Sequence, residues 1–138
     1  MTNKERDGLF RVCIHGTAGN NGVVYTRRLK EPFAFADLGD LLLKVERVLE
    51  VQDYPQAIQE LRTFLPKDRP ERSSGELPAD GMPREEVERA AGEKLTFDLQ
   101  IISRRNATWQ GMLYWSVGTK EQFGNDLGFL ALVAGRLK

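Results

Sequence analysis

The chain has 138 residues, of which 41% are hydrophobic and 29% are charged, so it fits one globular domain or two halves that share a modest core. Its 20 basic and 20 acidic residues cancel, which excludes a strong overall field that would attract nucleic acid or an anionic membrane. One cysteine, Cys13, excludes an internal disulfide, and with one histidine, His15, it leaves too few ligands for a structural zinc site, so we expect no metal or cofactor.

Residues 1–8 are polar, and we expect them to form a disordered tail. They lack the apolar stretch of a secretory signal peptide, and no later apolar run is long enough to span a bilayer. We therefore expect a cytoplasmic protein that does not engage a membrane.

The first half of the chain predicts a hairpin. Phe10, Val12 and Ile14 alternate with more polar neighbours, as in a strand with one buried face. Residues 16–22 are a cluster of glycine and asparagine that suits a hairpin loop, and residues 23–26 supply the returning strand.

Two helices and a linker are predicted next. Asp37 stands where a helix cap is expected, and apolar residues follow it at helical spacing as far as Leu49. Pro55 suits the first turn of an extra, shorter helix that ends near Leu65. The region 66–94 is a polar, proline-rich linker with a short helix at 83–91.

The second half predicts another hairpin and a final helix. Alternation returns over residues 97–101, and the string Asn-Ala-Thr-Trp-Gln-Gly at 106–111 separates this strand from an apolar returning strand at 112–117. Asp126 again stands at a helix cap position. One predicted face of the last helix carries Leu127, Leu130, Ala131, Ala134 and Leu137, and a second apolar face carries Phe129, Leu132 and Val133.

The two halves repeat one order of features: strand, loop, strand, phenylalanine, capping aspartate and apolar helix. A series of matches in the same order indicates an internal duplication. The matches are Phe10, Val12 and Ile14 with Phe97, Leu99 and Ile101; Gly22 and Tyr25 with Gly111 and Tyr114; and Asp37, Leu38, Gly39 and Leu41 with Asp126, Leu127, Gly128 and Leu130.

We therefore predict an α+β fold built from two ββα repeats, the first at 9–65 with its extra helix and the second at 95–138. A two-stranded sheet is marginal by itself, so the repeats should share one core. The expected product is a four-stranded antiparallel sheet with both long helices on one face, plus short extra helices.

The hairpin string at 106–111, with Trp115 and Phe123 after it, resembles a family of small uncharacterised bacterial proteins common in Firmicutes. The likeness extends to Tyr54-Pro55-Gln56 and to the segment 61–64 after the first helix. The family implies the layout of two modules and no activity. The first half departs from it, because its loop has no tryptophan.

The second loop is the candidate binding surface, comprising Arg104, Arg105, Asn106, Trp109 and Gln110. An exposed tryptophan beside guanidinium and amide groups could stack on a base or sugar ring. Alternatively, Trp109 folds back as a clasp over Tyr114 or Trp115, while Asn106 shapes the turn.

A helix that is apolar on two faces must be covered twice, so Phe129, Leu132 and Val133 are candidate interface residues. Our first hypothesis is a non-enzymatic module that binds a protein partner or a second copy, using this helix and exposed sheet edges. The second is nucleic-acid binding by the hairpin tips, through Arg104, Arg105 and Trp109. A small enzyme comes third, because the only nucleophile pair in view is Cys13 with His15, and no small-molecule substrate is evident.

Overall fold

The computed structural model describes residues 3–17, 19–52, 57–58 and 81–137. Most of the predicted extra helix and of the predicted linker lies outside these residues. In chain order the elements are α1 (Asn3–Asp7), β1 (Phe10–Ile14), β2 (Gly22–Tyr25), β3 (Phe33–Phe35), α2 (Leu38–Gln52), β4 (Ala57–Ile58), α3 (Arg84–Arg89), β5 (Leu95–Arg105), β6 (Thr108–Trp115), β7 (Lys120–Phe123) and α4 (Asp126–Arg136).

Six strands form one antiparallel sheet in the order β3-β2-β1-β5-β6-β7, and β4 pairs in parallel with the end of β5. The predicted four-stranded sheet of two ββα repeats is therefore wrong, because each half has the order βββα. The strands that the prediction missed are β3 and β7, of three and four residues. Strands this short have too few alternating positions to reveal a period of two.

Three short segments also differ from their prediction or refine it. Residues 3–7 form helix α1 where a disordered tail was expected. Ala57–Ile58 form strand β4 within the segment expected to be the extra helix. Helix α3 lies inside the short helix predicted at 83–91.

The two halves are structural equivalents across the central pair of β1 and β5. In each half, an isoleucine of the first strand lies opposite a glycine of the second, and that glycine lies opposite a phenylalanine of the third. The two rows are Ile14, Gly22 and Phe35 in the first half and Ile101, Gly111 and Phe123 in the second.

The caps of the two long helices require one correction to the predicted matches. Asp37 Oδ1 accepts a hydrogen bond from the backbone N–H of Asp40 at 2.8 Å, as expected of a cap. In α4 the cap is Asn125, which accepts from Gly128 N at 2.7 Å. Asp126 instead accepts from the backbone N–H of Trp109 at 2.8 Å and so fixes α4 to β6. Asp37 is therefore equivalent to Asn125, one residue earlier than the sequence match indicates.

Both long helices cover the same face of the sheet, and they share one core with it. The buried positions lie one helical turn apart, which is the spacing that keeps side chains on one face. They are Leu41, Val45 and Leu49 in α2 and Phe129 and Val133 in α4.

The glycines of the two equivalent rows leave no room for a side chain. A Cβ at Gly22 would lie 2.0 Å from Cys13 O, and one at Gly111 would lie 2.0 Å from Gln100 O. We expect Gly22→Ala and Gly111→Ala each to lower the free energy of unfolding by about 1–3 kcal/mol or more, because the backbone must move. Urea denaturation measures this.

Gly39→Ala is the matched control, because its Cβ would meet only Asp37 Oδ1, at 3.4 Å. This change should be neutral or stabilising by up to about 1 kcal/mol, through the better helix propensity of alanine. A loss of stability in Gly39→Ala as large as in the other two variants would contradict the close backbone approach as the cause.

Candidate interaction surface

Trp109 lies in the core and not on the surface. It is 2% exposed, and its ring meets that of Phe129 edge to face with centroids 5.7 Å apart. The indole Nε1 donates to Glu46 Oε2 on α2. Trp109 therefore packs beneath the helices, neither presented to a ligand nor folded over Tyr114 or Trp115.

Arg104 is buried on the same side of the sheet as Trp109, because β5 contains a bulge. The pairing with β6 shifts between Ile101 and Ser103, which turns Arg104 to the helix side of the sheet, opposite Trp109. There its side chain is 3% exposed, and Nη1 donates to Glu46 at 3.2 Å and to Glu50 at 2.6 Å. Arg104 is thus part of the contact between β5 and α2.

The rest of the predicted binding surface forms the hairpin tip. Asn106 and Ala107 have φ values of 54° and 61°, as a tight two-residue turn requires. Gln110 Oε1 accepts from Ser103 Oγ and from the backbone N–H of Arg105, at 2.8 and 2.9 Å. Of the five predicted residues, only Arg105 and Asn106 are exposed.

Glu46 is the residue that joins Trp109 and Arg104 to α2, and this role can be measured. Glu46→Gln should lower the free energy of unfolding by about 1–2 kcal/mol, because hydrogen bonds to a charged acceptor are lost by two buried donors. Glu50→Gln is the control and should lower the free energy of unfolding less. Glu50 is 61% exposed and, among the described residues, accepts a hydrogen bond from Arg104 only. A larger effect at Glu50 than at Glu46 would contradict this assignment.

A cleft of about 320 Å³ lies on the other face of the sheet and is lined largely by arginine and carboxylate side chains. Arg27 and Arg84 both donate to Asp7 Oδ1, at 2.7 and 2.9 Å. Burial raises the pKa of Asp7, but these two hydrogen bonds outweigh it, and the pKa lies below its usual value. Arg11 is held in the same way by Asp98, at 2.5 and 3.1 Å. Arg11, Arg27 and Arg84 of this cleft therefore bind carboxylates of the chain itself.

Cys13 is fully buried, and burial raises the pKa of its thiol to about 11. His15 follows β1, and within the described residues no hydrogen bond joins it to Cys13. The thiolate that a nucleophile needs is thus disfavoured at this position.

The thiol should accordingly be inert in the folded protein. At pH 8 about one thiol in a thousand is ionised when the pKa is about 11, so labelling by a disulfide reagent should be far slower in buffer than in urea. Equal labelling rates in the two solutions would show that Cys13 is accessible.

Two further classes of site find no support in the part of the chain that the structure describes. It contains no group of three or more His, Cys, Asp or Glu side chains that could hold a metal ion. None of its helices is long and apolar enough to cross a membrane.

The two apolar faces of α4 are arranged differently from the prediction. Phe129 and Val133 are fully buried in the single chain, where Phe129 meets three aromatic rings. Leu132 is partly buried, and it is the one of the three candidate interface residues that keeps exposed surface. Leu127, which was predicted on the other apolar face of the helix, is 78% exposed.

The outer edge of the sheet at β3 is closed by side chains of α2. Lys44 Nζ donates to Ala34 O at 2.7 Å, and Asp40 Oδ2 accepts from Ala36 N at 2.9 Å. The hydrogen bond from the Ala36 N–H is the main reason that the pKa of Asp40 lies below its usual value, and the hydrogen bond from Lys44 is the second. Ala34 O and Ala36 N, two of the backbone groups that this edge would offer to another strand, are thus occupied.

The opposite edge, at β7, has no such closure. Trp115 N donates to Thr119 O at 2.8 Å, and hydrogen bonding alternates along an antiparallel pair. The backbone N–H and C=O of Lys120 and Gln122 therefore point away from β6. Among the described residues, no donor or acceptor reaches these groups of Gln122.

The difference between the two edges follows from different residue types at equivalent positions of α2 and α4. Because Asp37 is equivalent to Asn125, three polar or charged positions of α2 correspond to uncharged positions of α4 beside β7. The pairs are Asp40 with Gly128, Lys44 with Leu132, and Arg47 with Gly135.

We name this candidate the β7 surface, defined by the open edge at Lys120–Phe123 and the adjacent side of α4 at Gly128, Leu132 and Gly135. No family model, curated protein or solved structure is similar enough to the chain to be matched. The resemblance to a bacterial family therefore stays a prediction, and the argument for function depends on this surface.

Proposed function

We propose that the chain is a non-enzymatic protein-interaction module that binds an extended segment of a partner at the β7 surface. The mode is strand addition, in which main-chain hydrogen bonds supply affinity and neighbouring side chains supply selectivity. The observation that carries the proposal is the contrast between the closed β3 edge and the open β7 edge.

The composition of the surface supports this mode. An edge that is not used for binding is commonly protected by charged side chains, as Lys44 and Asp40 protect β3. At β7 the equivalent positions are Leu132 and Gly128, which leave the strand accessible and place an apolar side chain above it. A cytoplasmic setting is part of the same proposal, since the lone cysteine offers no internal disulfide.

The proposal does not extend to nucleic acid. Trp109 and Arg104, which motivated that alternative, are buried against α2, and Arg105 is the only predicted basic contact that stays exposed. One exposed arginine at the hairpin tip of a neutral chain gives no phosphate-binding strip there.

The test uses a synthetic peptide of residues 117–125, labelled with a fluorophore, as an extended strand that pairs with β7. Fluorescence anisotropy should show saturable binding to the wild-type chain, and Gln122→Pro should weaken it about tenfold or more, because proline removes an outward N–H. This substitution breaks no hydrogen bond within the described chain.

Ala34→Pro is the matched control, because Ala34 occupies the equivalent position on the closed β3 edge. It should leave peptide binding unchanged, and circular dichroism should show that both variants fold. Absence of binding to the wild type, or equal binding by all three proteins, would refute the proposal.

A further inference from the structure

We propose that the strand that occupies the β7 surface is β7 of a second copy of this chain, which gives a closed twofold dimer with one continuous sheet. This inference rests on the proposed function, since it names the partner of the same surface. Three features support a second copy: the strand register at the β7 edge, the position of α4 and the closure of the β3 edge.

The edge is complementary to itself in one register. When Gln122 lies opposite Gln122 of the second copy, the outward groups of both residues form two backbone hydrogen bonds. Lys120 then faces Gly124, and Glu121 faces Phe123, so no like charges lie opposite each other. A register centred on Glu121 would place two carboxylates side by side. The pairing centred on Gln122 is therefore the favoured one.

The position of α4 fits the same arrangement. The helix contacts both β6 and β7, so it lies above the gap between them. Strands lie about 4.8 Å apart, which puts α4 about 5 Å from the axis of a β7–β7 pair and puts the two α4 helices about 10 Å apart. That separation is within the range of packed helices, about 8–10 Å.

On the side of α4 that would meet its copy, Gly128, Leu132 and Gly135 are uncharged and leave space. Arg136 on this side lies against its own chain, with its guanidinium over the Trp115 ring and 3.9 Å from Glu121. A Cβ placed on Gly135 would meet nothing within 4 Å, and Leu132 keeps exposed surface there. The equivalent side of α2 carries Lys44 and Arg47, which would meet the same charges in a β3–β3 pair. The β7 edge is thus compatible with self-association, whereas like charges on α2 disfavour it at the β3 edge.

Closure of the β3 edge also limits the assembly to two copies. Strand addition that joins β7 to β3 of the next copy would generate an open filament, but Lys44 and Asp40 already bind Ala34 O and Ala36 N at the β3 edge. The chain has no net charge, so no long-range repulsion opposes the approach of two copies. A short edge predicts a weak dimer, with a dissociation constant on the order of 10 µM.

The first experiment transfers the closure of β3 to β7. Gly128→Asp with Leu132→Lys places the pair Asp40 and Lys44 at the equivalent positions of α4. Size-exclusion chromatography with light scattering, from about 1 to 200 µM, should show concentration-dependent dimerisation of the wild type. The double variant should raise the dissociation constant about tenfold or more.

The second experiment tests the register without relying on the folding of that double variant. Gln122→Cys places two thiols across the twofold axis at a Cα separation of about 5.5 Å, which permits a disulfide. Mild oxidation should give a covalent dimer. Ala34→Cys, at the equivalent position of the other edge, and the wild type, whose only thiol is buried, should give no covalent dimer.

A wild-type monomer at 200 µM with no cross-linking of Gln122→Cys would overturn the second copy as partner. Cross-linking as strong in Ala34→Cys would overturn it too. If the peptide of residues 117–125 still binds in a manner sensitive to Gln122→Pro, the proposed function stands and only the dimer is wrong. If peptide binding also fails, the function itself is refuted.

Discussion

The fold depends on the backbone pairing of β1 with β5, which joins two βββα units into one sheet. Each unit alone would leave the apolar face of a three-stranded sheet covered by a single helix. Joined, they bury one continuous cluster in which Phe129 of α4 meets Phe97 and Trp109 of the sheet. Glu46 strengthens the union, because its carboxylate on α2 receives hydrogen bonds from both Arg104 and Trp109 of the second half.

A sheet of this kind has two outer edges, and the equivalence of the halves makes them directly comparable. At β3, Lys44 and Asp40 from the adjacent helix form hydrogen bonds with Ala34 O and Ala36 N of the edge. At β7 the equivalent residues, Leu132 and Gly128, cannot form such bonds. The backbone geometry is shared, so the difference in function that we propose arises from side chains alone.

The sequence predicted the features that carry strong periodic signals. Alternation located β1 and the start of β5, helical spacing located α2 and α4, and the matched glycines Gly22 and Gly111 are equivalent in the sheet. The sequence-based prediction of secondary structure failed where the structural feature involves only a few residues. Strands β3 and β7 are too short to show a period, and the bulge after Ile101 that turns Arg104 inward leaves no compositional mark.

The candidate site was predictable only in outline. Exposed sheet edges were expected as interaction surfaces, but of the three residues named for an interface, only Leu132 belongs to the β7 surface. Phe129 and Val133 were predicted as a second apolar face and a candidate interface, because a helix apolar on two sides does not reveal which side meets the sheet. The signal that could have located the surface is the loss of Asp40 and Lys44 at the equivalent positions of α4, which becomes visible once the caps are aligned on Asp37 and Asn125.

The most direct test of the difference between the edges is amide hydrogen exchange followed at increasing protein concentration. The Ala36 N–H, bound by Asp40, should be protected at every concentration. The Gln122 N–H should exchange rapidly in dilute protein and become protected as the concentration rises above about 10 µM, when a second strand covers it. Protection of Gln122 equal to that of Ala36 in dilute protein would contradict an open β7 edge, and rapid exchange of Gln122 at every concentration would contradict its use in self-association.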